Sequence, residues 1–564
     1  MVSSRKRSDL VQLMALVIGI VVLNIFSGSW FTRFDFTKEK RYTLSAVSRN
    51  LVDSLTQPVK VTVYLQGNDL PPAFRRLQSA TRDMLSDMAA YSTRHLQFEF
   101  VDPLAGIAED KKDEVIKDLQ SKGVDVTNLS VKTDNGLTQK LVFPGALVTC
   151  GDKQIAVKLL QTRIGLSDEE QLNNSIQNLE YAFASAIKKA SSAGKPAIGF
   201  TEGHGELTDL QLNDALKTLS DGFMVGRVDL KTIPFSSLMN VSLLVIPKPD
   251  KPFTELEKFK IDQYVMRGGK VLWTIDQVSA ELDSLQSRRG QQQLAFPKQL
   301  NLDDQLFKYG VRINYDLIAD MSAAEIPVAA GDVGGQTQMQ LVPWLFYPIL
   351  MPSSTHPLVK NLDGIRTEFP STMDTLAVKG INKTILLQSS PFNRKLSAPH
   401  LLSLQMLEEV PDPKTFRSAP KTVGVLLEGS FPSVFLNRPV PDSLKEHVDV
   451  IAQSKPTRMI VISDGDIFKN QVASDGSAFP LGFDRYTQKT YGNKNLLLNI
   501  ADYMTGDPAL IALRNKEVQL RLLDKTRIRS EKLYWQVINN AVPIALVLIF
   551  AIFQHYTRKR KYAR

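Results

Sequence analysis

Two short segments carry the groups best able to do chemistry. Thr201-Glu202-Gly203-His204-Gly205-Glu206 sets two carboxylates and an imidazole among glycines that permit close backbone approach. Ser463-Asp464-Gly465-Asp466-Ile467-Phe468-Lys469-Asn470 pairs two aspartates across a glycine and adds an amide. Such groups relay protons or hold a divalent cation. They also make ordinary turns and helix caps. The candidate binding set is Glu202, His204, Glu206, Asp464, Asp466 and Asn470, with no catalytic residue, no metal and no cofactor assigned. The rival reading is a metal-dependent envelope enzyme with its site between the two loops.

Several chemistries lack their essential group. Neither loop holds a serine or cysteine in a GxSxG-like elbow, and no GxGxxG or GxxxxGK[ST] loop is present, so P-loop hydrolysis of ATP is excluded. The single cysteine, Cys150, excludes an intramolecular disulfide, a Cys-based zinc site and a CxxC pair. The histidines (His95, His204, His356, His400, His447, His555) show no HExxH or HxH spacing.

Both loops come directly after apolar strand candidates, which places them at the carboxyl edge of an open sheet. From residue 195 apolar strands alternate with helical patterns at 196–201, 207–219, 226–230, 242–246, 254–267 and 270–276; the rhythm returns at 457–464 and 493–505. That alternation predicts a parallel, doubly wound sheet. Between them, 277–455 is proline-punctuated, as in 341–348, and reads as a β-rich insertion. Residues 59–65, 72–91 and 96–101 make a βαβ unit. A helix (111–122), a hairpin (140–148 with 154–160) and a further helix (168–189) complete the element order of a thioredoxin-like fold without its redox pair.

Apolar, uncharged stretches at 10–32 and 537–554 are each close to the ~20 residues an α-helix needs to span a bilayer. Arg5, Lys6 and Arg7 flank the first, and Arg558, Lys559, Arg560, Lys561 and Arg564 flank the second. The positive-inside rule puts both termini in the cytoplasm and the middle outside it. A cleaved signal peptide ending near Ser27-Gly28-Ser29 is the alternative for the first stretch. The formal charge of +9 divides into +2 from the N-terminal tail (Asp9 included), +5 from the C-terminal tail and +2 for the rest, so it reports topology and attraction to anionic lipid, and nucleic acid is not an expected partner. In the second stretch Asn539, Asn540, Ala541 and Ala545 form a candidate docking face of amides and small residues for a partner membrane helix.

The expected layout is a cytoplasmic tail (1–9), a transmembrane helix (10–32), a thioredoxin-like domain (33–192), an α/β domain (193–276 with 456–506), an insertion (277–455), a helical stalk (507–535), a second transmembrane helix (536–555) and a basic tail (556–564).

Arg33-Phe-Asp-Phe-Thr-Lys-Glu-Lys-Arg-Tyr-Thr-Leu-Ser45, Val61-Thr-Val-Tyr-Leu65, Phe98-Glu-Phe-Val-Asp-Pro103, Thr201-Glu-Gly-His-Gly-Glu206 and Ile462-Ser-Asp-Gly-Asp466, in this order along the chain, resemble the GldG-type auxiliary component of gliding-motility-associated ABC transporters. The resemblance implies a non-enzymatic inner-membrane subunit, periplasmic in its middle, working with an ABC permease and, through it, a cytoplasmic ATPase. It also implies an α/β domain similar to a module of an intraflagellar transport subunit, related to the flavodoxin/amidotransferase-like folds but used to bind a substrate or an envelope protein.

Overall fold

A computed structural model describes residues 13–21, 43–506 (apart from 68–69, 93–94, 134–135, 161–167, 193, 288–291, 334–335, 353–355, 361, 409–410 and 442–447), 510, 513 and 525–562. The chain divides into two compact units, Tyr42–Lys516 and the paired ends Met1–Arg41 with Glu517–Arg564.

The first unit begins with a short helix, Ala46–Asp53, capped by the Ser45 side chain, which accepts from Ser48 N as its position predicts. Strand β1 (Val59–Val63) turns Val59, Val61 and Val63 inward. Helix α1 (Pro72–Tyr91) has proline in its first turn, where no N–H is required, and buries Leu77, Thr81, Leu85 and Met88 at helical spacing. It returns the chain to β2 (Leu96–Phe100), parallel to β1. β3 (Gly145–Cys150) runs antiparallel to β1 and pairs with β4 (Lys153–Lys158), giving the order β2-β1-β3-β4.

The stretch 140–148 is not one strand. A separate hairpin, Thr127–Thr133 with Gly136–Val142, ends before Pro144, and β3 starts after it. Proline has no N–H for a ladder, so the chain breaks there.

Helix α2 (Asp168–Ser191) links this block to the next. Its Phe183 and Ile187 belong to one apolar core that contains Val61 and Leu85 as well as Phe200, Leu212 and Leu496. Polar contacts reinforce the join: Lys189 Nζ lies 2.7 Å from Asp502, and Tyr181 Oη donates to the same carboxylate at 3.2 Å.

The main sheet uses β5 (Ala197–Glu202), β6 (Met224–Asp229), β7 (Leu243–Pro247), β8 (Val271–Thr274), β9 (Ala323–Val333), β10 (Gln336–Pro352), β11 (Ile381–Gln388), β12 (Thr422–Gly429) and β13 (Thr457–Ile462). Their order is β9-β10-β11-β12-β13-β8-β7-β5-β6, with the short strand Ile365–Arg366 on β10. β6, β5, β7, β8 and β13 are mutually parallel, and β12, β11, β10 and β9 continue antiparallel. Segment 277–455 thus feeds four long strands into the same sheet. The proline-rich stretch expected as short pieces is the 17-residue β10. Over most of its length β10 pairs only with β9, so Pro343 and Pro348 leave no second neighbour without a donor.

Both faces of the parallel half are covered. Ile198, Phe200, Leu272 and Ile460 face α4 (Asn493–Thr505), while Leu244, Ile246, Trp273 and Val461 face α3 (Glu255–Met266). A Thr254–Glu257 capping box starts α3. This helix is buried all round, so its polar residues need partners. Lys260 donates to Leu230 O and Ile233 O, each at 2.8 Å, and Asp262 accepts from Ser433, Val434 N and Tyr309.

In the second unit, helix α5 (Lys525–Tyr562) contains Ser530–Arg560, a segment long and apolar enough to cross a membrane. Among the described residues it is one such helix where the sequence predicts two. Most of 10–32 lies outside the described residues, and 13–21 are helical and exposed. The tail 1–9 and most of the stalk 507–535 also lie outside them.

Candidate functional site

Four parallel strands end at one edge, and their register fixes which loop residues meet there. Thr274 is level with both Pro247 and Ile462, so Lys248, Asp276 and Asp464 emerge side by side. Asp464 and Asp466 of the second loop therefore meet two residues outside the candidate set. Lys248 Nζ lies 2.6 Å from Asp466, 3.5 Å from Asp276 and 3.2 Å from Glu281; Lys469 Nζ lies 3.0 Å from Asp466. Gly465 makes the crowding possible: a Cβ there would stand 2.6 Å from the Lys248 Cγ and 3.0 Å from the Asp276 Cγ. Its own N–H donates to Asp276 at 2.5 Å.

Asp276, Asp464 and Asp466 offer carboxylate oxygens within 4.8 Å of one another, a spacing able to hold a metal ion. Lys248 is already the cation among them. Burial opposes its charge, but Asp466, Asp276 and Glu281 outweigh that and raise its pKa. Burial likewise opposes the Asp466 carboxylate, yet Lys469 and Lys248 hold its pKa far below the usual carboxylate range. Asp464 goes the other way: burial, then Asp276 and Asp466, push its pKa well up, and burial raises that of Asp276 as well. Its oxygens accept from Asp466 N (2.8 Å) and Glu368 N (3.0 Å).

The first loop builds a separate cluster. His204 is buried, stacked 3.9 Å from Phe253, with Nε2 3.1 Å from Glu257 and Nδ1 3.4 Å from Glu206. Burial works against the charged imidazole, but Glu206 and Glu257 together raise its pKa. Burial also works against the charge of Glu206 and Glu257; contact with His204 holds Glu206 low, and Thr254 with His204 holds Glu257 low. The His204 carbonyl accepts from Asp250 N and Lys251 N, and Gly205 turns the loop at φ 77°. His204 and Glu206 thus clamp this turn to the start of α3. Glu202 points outward. Among the described residues no hydrogen bond or ion pair joins the side chains of Glu202, His204 or Glu206 to Asp464 or Asp466. Asn470 is buried and spans loops: it donates to Leu210 O at 3.0 Å and accepts from Asp214 N at 3.2 Å.

A cleft of about 240 Å³ opens beside the ionic cluster. Asp466, Lys469 and Asn470 form one wall, with Glu281, Arg366 and Glu368 nearby. Arg366 donates to Glu368 at 2.7 Å and lies over the Tyr347 ring at 4.9 Å. Lys248 and Asp276 had a sequence signal, a charged residue directly after an apolar strand. Arg366 and Glu368 come from a stretch with no local signal; the sheet brings them here.

On α5, Asn539, Asn540, Ala541 and Ala545 are exposed, and Ala541 and Ala545 share a face at i, i+4. Asn540 Nδ2 donates to Gln536 O at 2.8 Å, which uses one of its amide donors within the helix.

Residues 195–500, which cover the α/β domain, match the family described as an ABC-type uncharacterized transport system, and 38–149 match a domain of unknown function (DUF7088). The protein is therefore of mixed α/β architecture and of the transporter-auxiliary class. It belongs to the ABC-type uncharacterized transport system family. An uncharacterized protein of Borreliella burgdorferi is 20% identical over 543 residues, 94% of each chain. Among solved structures the chain is similar to the mmIFT52 N-terminal domain (12% identity, 55% of this chain, 98% of that one, TM-score 0.31). It is also similar to a putative ThuA-like protein from Bacteroides uniformis (13%, 57% and 97%, TM-score 0.27).

Proposed function

We propose that this chain is the auxiliary subunit of an ABC-type transport complex of the GldG type, non-enzymatic, held in the inner membrane at both ends. Its middle domains lie in the periplasm and bind a substrate or an envelope protein. The carrying observation is a transport-family match over 195–500 in the same chain as a membrane-length apolar helix. Family membership supports association with an ABC transport complex. An ABC permease, contacted through Asn539, Asn540, Ala541 and Ala545, and a cytoplasmic ATPase reached through that permease are the proposed partners. The order β2-β1-β3-β4, parallel then antiparallel, supports a thioredoxin-like use of residues 33–192. The α/β domain is taken as 193–276 with 456–506 and the strands of 277–455 added to its sheet.

The metal-enzyme alternative finds little support, because the Lys248 ammonium already lies against Asp466 and Asp276 and the His204 cluster is tied into its own turn. Purification from native membranes in mild detergent tests the proposal. A permease and an ATPase should travel with this chain; a homogeneous preparation without either would refute it.

A further inference from the structure

Strand β4 (Lys153–Lys158) closes one side of the sheet β2-β1-β3-β4, and its one strand neighbour among the described residues is β3. The register decides which of its backbone groups that neighbour uses. Leu159 N donates to Pro144 O at 2.9 Å, so Leu159 and, at every second residue before it, Val157, Ile155 and Lys153 turn their N–H and C=O toward β3. Gln154, Ala156 and Lys158 turn theirs outward, where the ladder offers no partner. A free strand edge of this kind is a template for another extended backbone.

A groove runs beside this edge. Tyr181, Ser185 and Lys189 follow one another at i, i+4 and i+8 on one face of α2. They line both a hollow of about 170 Å³ against 155–158 and one of about 310 Å³ against Pro196, Phe223 and Leu510. The walls of the two carry Lys158, Lys188, Lys189 and Lys195 against one carboxylate, Asp502, so the groove is positive. Asp502 is already engaged, with Lys189 Nζ 2.7 Å away and Tyr181 Oη donating to it at 3.2 Å. Lys188 and Lys195 are exposed and make no ion pair among the described residues; Lys195 Nζ donates to Ser220 O at 2.8 Å. Lys158 lies 2.6 Å from Asp125, but both side chains are mostly in water, where such a pair holds weakly. The helix dipole accounts for Lys188 and Lys189 in the last turn of α2, and not for Lys158 on the strand or Lys195 beyond the helix.

We propose that an extended, acidic segment of a partner polypeptide adds to β4 as a further strand. Its backbone pairs with Gln154, Ala156 and Lys158, its carboxylates meet the lysines, and an apolar side chain fills the hollow beside Phe223. This rests on the reading of the middle domains as the binding part of an auxiliary subunit. Charge selects this occupant over a second copy of the chain, because Lys153 and Lys158 stand at the two ends of β4 and pairing β4 with itself would face lysine with lysine. The length suits a short motif, since the six residues of β4 extend for about 20 Å.

The test is fluorescence anisotropy of labelled peptides titrated with the full chain in detergent: Glu-Val-Glu-Val-Glu-Phe, its counterpart with Lys for Glu, and two forms of the acidic peptide N-methylated at alternate amides. The acidic peptide should bind and the basic one should not. Strand pairing uses every second N–H of the incoming segment, so one methylated form should lose about 10-fold or more while the other binds nearly as the parent does. Ala156→Pro removes an outward N–H and leaves the ladder to β3, and should weaken the acidic peptide about 10-fold or more with little change in Tm. Lys158→Glu with Lys188→Glu should reverse the preference in favour of the basic peptide, and this variant decides the matter where the proline lowers Tm. No binding of the acidic peptide, equal binding of the two methylated forms, or a charge-reversed variant that still prefers the acidic peptide would each overturn the proposal. If a permease and an ATPase still co-purify in that case, the strand addition falls and the auxiliary role stands.

Discussion

Removing the Lys248 ammonium should destabilise the α/β domain strongly at neutral pH and much less in acid. The lysine side chain is 9% exposed and faces Asp466 at 2.6 Å and Asp276 at 3.5 Å. At an effective dielectric of about 20 these pairs are worth about 6 and about 5 kcal/mol of Coulomb attraction. Glu281, half in solvent, adds about 1 kcal/mol or less. The desolvation of the ammonium takes back several kcal/mol, and the expected loss for deleting one partner of such a buried pair is about 3–5 kcal/mol. For the unit Tyr42–Lys516, unfolding entropy of ~2.1 cal/mol/K per residue sums to about 1 kcal/mol/K, so Lys248→Met should lower Tm by about 3–5 °C. Asp466 is depressed in the parent, so its contribution is present above the unfolded value near 4 and lost as pH falls through the lower folded value. Without Lys248 the carboxylate protonates more easily, and the gap between parent and variant should narrow from pH 7 to pH 4.5. Lys248→Met with Asp466→Asn should recover much of the loss. Scanning calorimetry at both pH values decides it. A Tm drop under 1 °C at pH 7, or a gap that does not vary with pH, would refute the ionic-cluster argument.

The crowding at this edge and the two clusters set further outcomes. Gly465→Ala pushes a methyl against Lys248 and Asp276, and urea melts should show a loss of about 1–3 kcal/mol. The raised His204 contributes stability that is fully present below its unfolded pKa of about 6.5 and lost as pH rises through the folded value, while Glu206 and Glu257, depressed, contribute above about 4.3 and lose it in acid. His204→Gln should therefore be most harmful between about pH 4.5 and 6.5, and nearer to the parent by pH 9 in the same melts. With buried Cys150 replaced, single cysteines at Ser3, Ser474 and Ala563 should react with an impermeant maleimide in outer-membrane-permeabilised cells only at Ser474; labelling at Ala563 would break the two-span topology. Ala541→Leu or Ala545→Leu on the small-residue face should reduce recovery of the permease without moving the Tm of Tyr42–Lys516, as judged by quantitative co-purification.

The sequence alone determined whatever rests on local periodicity or on the absence of a group. Pro72–Tyr91 and Asn493–Thr505 were legible to the residue, because their apolar spacing and flanking prolines or glycines are local signals. The apolar helix near the C-terminus, the lack of a phosphate loop and the lack of a nucleophile elbow were legible for the same reason. Tertiary structure decided the rest. Pro343 and Pro348 read as breaks, yet they sit in one long strand, since only the missing ladder neighbour makes a proline there harmless. Glu202, His204 and Glu206 looked like partners of Asp464 and Asp466 because both loops end parallel strands. The register instead set Lys248 and Asp276 beside the aspartates and left His204 to Glu257. Which charges meet depends on strand order and on residues more than two hundred positions apart, and no local pattern encodes that.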